Sequence, residues 1–190
     1  TINGIALVNA LNNPLKATDT VVIEVSFSED ITVTGSPALS LMVGSNAKTA
    51  TYSGVKTVNN AAVPNVHLWR YTIQAGDNDS DGISIGANAL SLGVNDAVQD
   101  NLGNAAVLSH LAPNLTQMVV DTTAPTVSLS LNQGADTLLA SGETAIINAV
   151  FSEAPKVLPS LTVTNGTVPN GTEGTWVKVN NTHYTTTFTP

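Results

Sequence analysis

The chain has 190 residues, enough for one large domain or two small ones with buried cores. Six basic against fourteen acidic residues leave a net charge of −8, which repels phosphate backbones and anionic membrane surfaces. Nucleic-acid binding is excluded on that ground, and cations are the natural partners of the surplus carboxylates. With no cysteine, disulfides, thiolate metal sites and cysteine nucleophiles are excluded as well. Thr and Val are the commonest residues and Asn, Ser and Gly are plentiful, a composition that favours strands and turns. No apolar run reaches the ~18 residues that a membrane-spanning helix needs.

Residues 2–8 predict a first strand, and the chain opens so directly into it that it reads as an internal piece of something longer. Asn12-Asn13-Pro14 breaks that strand. Residues 20–28 alternate with period two: Val21, Ile23, Val25 and Phe27 on one face, Val22, Glu24, Ser26 and Ser28 on the other. This is the pattern of a half-buried strand. Residues 31–33 continue it or begin the next element. Residues 38–43 and 48–53 predict a hairpin around Gly44-Ser45-Asn46, and residues 54–65 are polar and read as a loop. A strand at 67–74 sets Leu68, Arg70, Thr72 and Gln74 against His67, Trp69, Tyr71 and Ile73. An aspartate-rich loop follows at 76–82, then short strands at 83–85 and 89–94, a loop at 96–104 and a strand at 115–120.

The stretch Val119-Val120-Asp121-Thr122-Thr123-Ala124-Pro125 separates two segments with shared landmarks. Ahead of it, residues 19–29 end in Phe27-Ser28-Glu29. Behind it, residues 143–153 end in Phe151-Ser152-Glu153, 124 positions later. Beyond the junction, strands are expected at 126–131, 143–151, 161–164, 175–179 and 184–189, with turns at Asn165-Gly166, Asn170-Gly171 and Asn180-Asn181. No stretch has helical periodicity with caps. The expectation is an all-β chain of tandem immunoglobulin-like β-sandwiches, one over residues 1–120 and a second over 121–190. The second lacks a counterpart to everything after the strand at 67–74. Its last strands are expected from chain beyond Pro190 or from another chain.

Taken together, Val120–Pro125, the two Phe-Ser-Glu landmarks, Gly82-Ile83-Ser84-Ile85 and Asp100-Asn101-Leu102-Gly103-Asn104 resemble the bacterial immunoglobulin-like repeats of large secreted surface adhesins. The resemblance covers nearly the whole chain and departs from the family at the shortened second repeat. It implies an extracellular location, stacking of repeats into long arrays, and calcium at or near the junctions between them.

The sharpest chemical signal is Gly76-Asp77-Asn78-Asp79-Ser80-Asp81-Gly82. Aspartates at loop positions 1, 3 and 5 and glycine at 6 match the first half of a calcium loop, because alternate carboxylates converge when the chain curls. Position 12 is Asn88 rather than a bidentate Glu, so the loop is no EF-hand, and a plain turn of Asp and Asn fits the letters equally well. In an immunoglobulin-like order, this loop lies at the pole where the last strand of its sandwich ends. That places Asp77, Asp79 and Asp81 near Asp121, with Glu153 of the second repeat facing the same gap. These five residues are the candidate calcium ligands. Asp96 and Asp100, with Asn101 and Asn104, form a second oxygen-rich loop that reads as a side-chain-held turn.

Gly82-Ile83-Ser84-Ile85-Gly86 fits an esterase elbow by letter only, since no helix pattern or His/acid pair accompanies it. His67, His110 and His183 have no metal spacing. The reading is therefore non-enzymatic: an extender or stalk module of a bacterial surface adhesin, whose partners are neighbouring repeats of its own chain, with any cell-surface or glycan ligand elsewhere in the parent protein. Two alternatives stand beside it. One is a carbohydrate-binding accessory region of a secreted enzyme, using Trp69 and Trp176. The other is a fibre or lattice subunit completed by strand donation.

Overall fold

The computed structural model describes residues 1–8, 13–115, 117–134, 138–169 and 175–190. Among them the protein is almost entirely β, with antiparallel sheets and no α-helix. It divides into two compact units, Thr1–Thr123 and Ala124–Pro190.

In the first unit, β1 (Ile2–Val8), β2 (Thr20–Phe27), β4 (Ala38–Val43), β5 (Asn46–Val58), β6 (Ala61–Thr72) and β7 (Leu90–Ser91) form one sheet in the order β1-β2-β6-β5-β4-β7. β3 (Ile31–Thr34) and β8 (Ala97–Asp100) form a separate antiparallel pair. The alternation along β2 sets its inner face: Val21, Ile23, Val25 and Phe27 are all at most 1% exposed. Across β2, Ile23 meets Trp69 and Val25 meets His67 on β6. The same core takes in Ile31 and Val98 from the β3–β8 pair and Ile83, Ile85, Met118 and Val120 from the connecting segments. A single continuous apolar cluster thus joins the large sheet to everything that faces it.

Several expectations need correction. Residues 54–65 are not a loop: β5 and β6 run through them as one long hairpin that turns at Asn59-Asn60, both with positive φ of 50° and 64°. That backbone is the one a two-residue hairpin turn demands, and asparagine tolerates it. Residues 97–100 are strand rather than loop, held by β3. The expected strands at 83–85 and 115–120 reduce to single bridges, Met42 with Ser84 and Val120 with Leu15 and Asp79. Residues 161–164 are not strand. The turn expected at Asn170-Gly171 lies outside the described residues.

The second unit has one sheet, β11-β12-β10-β9, from β9 (Val127–Asn132), β10 (Ala145–Phe151), β11 (Val177–Lys178) and β12 (His183–Phe188). Its register repeats that of the first unit 124 positions on. Ile5 pairs Val25 and Leu7 pairs Ile23 in β1–β2; Leu129 pairs Ala149 and Leu131 pairs Ile147 in β9–β10. The next strand differs in content. Opposite Ile23 lies Trp69, but opposite Ile147 lies Thr186. The indole of the second core comes instead from Trp176, just ahead of β11, and packs with Ile147, Ala149, Phe151 and Tyr184. Both indoles solve the same polar problem in the same way. Trp69 Nε1 donates to the Pro37 carbonyl at 2.7 Å, and Trp176 Nε1 donates to that of Pro159 at 3.0 Å.

Moving the indole leaves Thr186 with a buried hydroxyl that has no hydrogen-bond partner. A buried unpaired polar group is a net cost, and valine has the same shape without it. Thr186→Val is therefore expected to stabilise the second unit by about 1 kcal/mol. Urea denaturation followed by Trp176 fluorescence in a Trp69→Phe background measures this, and a lower midpoint would contradict it.

Candidate functional site

The acidic loop at 76–82 begins where β6 ends and meets the last residues of the first unit. Asp79 and Val120 exchange both backbone hydrogen bonds at 2.8 Å. Next to that bridge, the side chain of Asn78 accepts from the Thr122 amide at 2.9 Å, and the Gly76 amide donates to Thr122 Oγ1 at 2.9 Å. The loop and Asp121 therefore share one end of the unit. The cleft between Pro14, Asn78, Ser80, Val119, Asp121 and Thr123 encloses about 390 Å3.

The carboxylates themselves differ sharply. Asp77 is 3% exposed, and both its oxygens are occupied by protein donors. Oδ1 lies 2.6 Å from Lys48 Nζ; Oδ2 accepts from Tyr71 Oη at 2.5 Å and from the Gln74 amide at 2.8 Å. Burial opposes ionisation of Asp77, but the hydrogen bonds from Lys48, Tyr71 and Gln74 outweigh it and hold the carboxyl below its ordinary range. The same hydrogen bond raises the Lys48 ammonium above its usual value. Burial, reinforced by the Asp77 charge, pushes the Tyr71 phenol up.

Asp79 is 4% exposed and caged by amides. Oδ2 accepts from Gly44 at 2.7 Å, and Oδ1 accepts from Gly82 at 2.7 Å and from Asp81 at 3.3 Å. Both glycines are required by geometry. Gly44 has φ of +57°, and a Cβ there would stand 2.5 Å from the Asn78 carbonyl; Gly82 has φ of +103°, and a Cβ there would stand 2.9 Å from the Gln117 side chain.

Asp81 and Asp121 remain exposed, and Asp121 Oδ1 accepts from the Thr123 amide at 2.9 Å. Glu153 belongs to the second unit, in the turn that follows β10. Among the described residues, no three His, Asp or Glu side chains come together as a metal-binding group. What spacing alone could not reveal is Lys48. It sits 29 positions before Asp77, on β5, and supplies a cation from within the fold.

The second oxygen-rich loop is also internally bonded. Asp100 Oδ1 accepts from the Leu102 and Asn104 amides, and Oδ2 accepts from Asn104 Nδ2 at 2.7 Å. These bonds, that of the Asn104 side chain foremost, hold the Asp100 carboxyl below its ordinary value. Asp96 accepts from the Ser36 and Gly93 amides. The histidines are dispersed. His67 is 3% exposed, its Nδ1 2.7 Å from Tyr52 Oη and its Nε2 3.1 Å from the Pro64 carbonyl. Burial lowers its pKa and keeps the ring neutral. His110 Nε2 accepts from the Ala89 amide, and His183 Nε2 lies 3.1 Å from Asn148 Oδ1. Ser84 bridges Met42 through its backbone.

A scan against protein families finds no matching family, and a search of curated proteins finds no significant relative.

The lowered pKa of Asp77 carries a sign. Folded Asp77 gives up its proton more readily than unfolded Asp77, so the unfolded state binds more protons as pH falls. The stability it contributes is present above the ordinary carboxylate value and is lost as pH drops below about 4. Asp77→Asn is expected to lower the melting temperature at neutral pH and to flatten this acid limb. Thermal melts between neutral and acid pH test it; a variant whose acid limb runs parallel to that of the unaltered protein would contradict the assignment.

Proposed function

We propose that the chain is a structural spacer, an extender module of a bacterial cell-surface adhesin, working outside the cell and performing no catalysis. The observation that carries this reading is the repeated strand plan: β1 and β2 recur as β9 and β10 in the same register, 124 positions apart, and β12 takes the place beside β10 that β6 holds beside β2. Two units of like plan in one chain are what a serial array uses. The last residues of the first unit, Thr122 and Thr123, are hydrogen-bonded to Asn78, and the ring of Pro125 fixes that residue's own φ. Calcium enters this reading through the exposed carboxylates Asp81 and Asp121. Reaching Asp77 would mean displacing the ammonium of Lys48, and reaching Asp79 would mean breaking its amide cage.

The competing carbohydrate reading requires aromatic rings on the surface, where sugars stack. Trp69 is fully buried and Trp176 is 9% exposed, and each spends its one donor on a proline carbonyl. A glycan array probed with the whole chain is expected to stay blank. Reproducible binding to a defined glycan, competed by the free sugar, would contradict the spacer reading.

A further inference from the structure

We propose that residues 118–123 form a shear clamp, the element that sets how much pulling force the first unit withstands. The inference rests on the spacer reading for its biological sense, but its geometry stands by itself. On one side, Leu15 pairs with Val120 in parallel: the Leu15 amide donates to the Val119 carbonyl and the Asp121 amide to that of Leu15, both at 2.8 Å. Asn13 Oδ1 adds a bond from the Val119 amide at 3.0 Å. On the other side, Asp79 takes both backbone groups of Val120, and the Ile83 amide donates to the Met118 carbonyl at 3.0 Å. Asn78 Oδ1 accepts from the Thr122 amide and, at 3.3 Å, from Thr123 Oγ1. Leu15 and Val120 are each 2% exposed, so water cannot readily replace the bonds between them.

The parallel pairing decides how load is carried. Tension toward the N-terminus first strips β1 from β2 and then draws Leu15 backward along its own segment. Tension toward the C-terminus draws Val120 forward along its own. In a parallel pair these directions oppose each other along the strand axis. Interstrand hydrogen bonds lie across the strands, so such a pull loads the whole set at once. Peeling would load them one after another, each at its modest individual strength. The brace at Asp79 prevents the segment from escaping sideways, because its carboxylate is tied to Gly44 in the β4–β5 turn. Forced unfolding is governed by the rate of crossing this barrier rather than by equilibrium stability. The clamp therefore separates mechanical from thermal resistance.

Single-molecule pulling of the whole 190-residue chain through its two ends tests this. The longer of the two extension steps reports the first unit, which holds more residues. Asn78 and Asn13 are exposed, and their truncation removes clamp bonds without opening the core. Asn78→Ala is expected to lower the force of the longer step, with Asn13→Ala acting in the same direction, while thermal stability changes little because each exposed hydrogen bond contributes modestly to it. Val33→Ala, in β3 and outside the clamp, is expected to lower thermal stability and leave that force in place. Unchanged force in both asparagine variants, or an equal loss of force in Val33→Ala, would overturn the clamp. Either result would leave the spacer reading to be decided by the glycan array.

Discussion

The Asp79 carboxylate is the interaction on which the first unit depends. It is buried, and it is satisfied entirely by amides: Gly44 from the β4–β5 turn, and Gly82 and Asp81 from its own loop. Its backbone holds Val120. One residue therefore joins a hairpin turn, a long connection and the final segment of the unit. An isolated carboxylate at this depth would be prohibitive, and convergent amides make it tolerable. The geometry also dictates neighbours, since the chain can approach so closely only where Gly44 and Gly82 lack side chains. Asp77 is met instead by a cation, the Lys48 ammonium, together with Tyr71 and the Gln74 amide.

The two units show how one strand plan accepts different cores. Phe27 and Phe151 occupy matching positions, and so do Ile23 and Ile147. The indole does not. Trp69 comes from the strand beside β2, whereas Trp176 comes from just ahead of β11, one strand further out, and Thr186 fills the place between. Both indoles still find a proline carbonyl. The second core is also less covered. Val127, Leu129 and Leu131 share the face of Phe151, Ala149 and Ile147 yet remain 45–56% exposed, whereas Ile5, which holds the place of Leu129, is 9% exposed. Ile5 owes its cover to a first-unit cluster that also draws on Ala106, Leu108 and Leu115.

Much of this was legible in the sequence wherever one face of a strand is buried. The alternation at 20–28 placed Val21, Ile23, Val25 and Phe27 on one face correctly, and that at 67–74 separated the two faces without saying which is buried; His67, expected at a strand surface or in a loop, lies in the core. The hairpin arm at 54–65 was not legible. Its residues are largely exposed on both faces, so hydrophobic patterning is absent, and the only signal was Asn59-Asn60, a weaker turn dipeptide than Asn-Gly. β8 was hidden for a similar reason: four residues with one buried side chain, Val98, beside a loop of strong turn signals. At the acidic loop, spacing suggested that Asp77, Asp79 and Asp81 would converge on a cation, but Asp77 and Asp79 turn to separate protein donors and Asp81 stays exposed. Spacing did not announce the donors, which come from Lys48 and Gly44, distant in sequence and brought in by the β4–β5 hairpin.

The central claim is that this loop is held to the end of the first unit by the protein's own donors. Amide hydrogen exchange at Val120 and Thr122 tests it most directly, with the whole chain compared in a chelator and in calcium. The account predicts slow exchange at both amides in the chelator, comparable to that of β2, and little change when calcium is added. Exchange at the rate of an open loop in the chelator, becoming slow only with calcium, would contradict it.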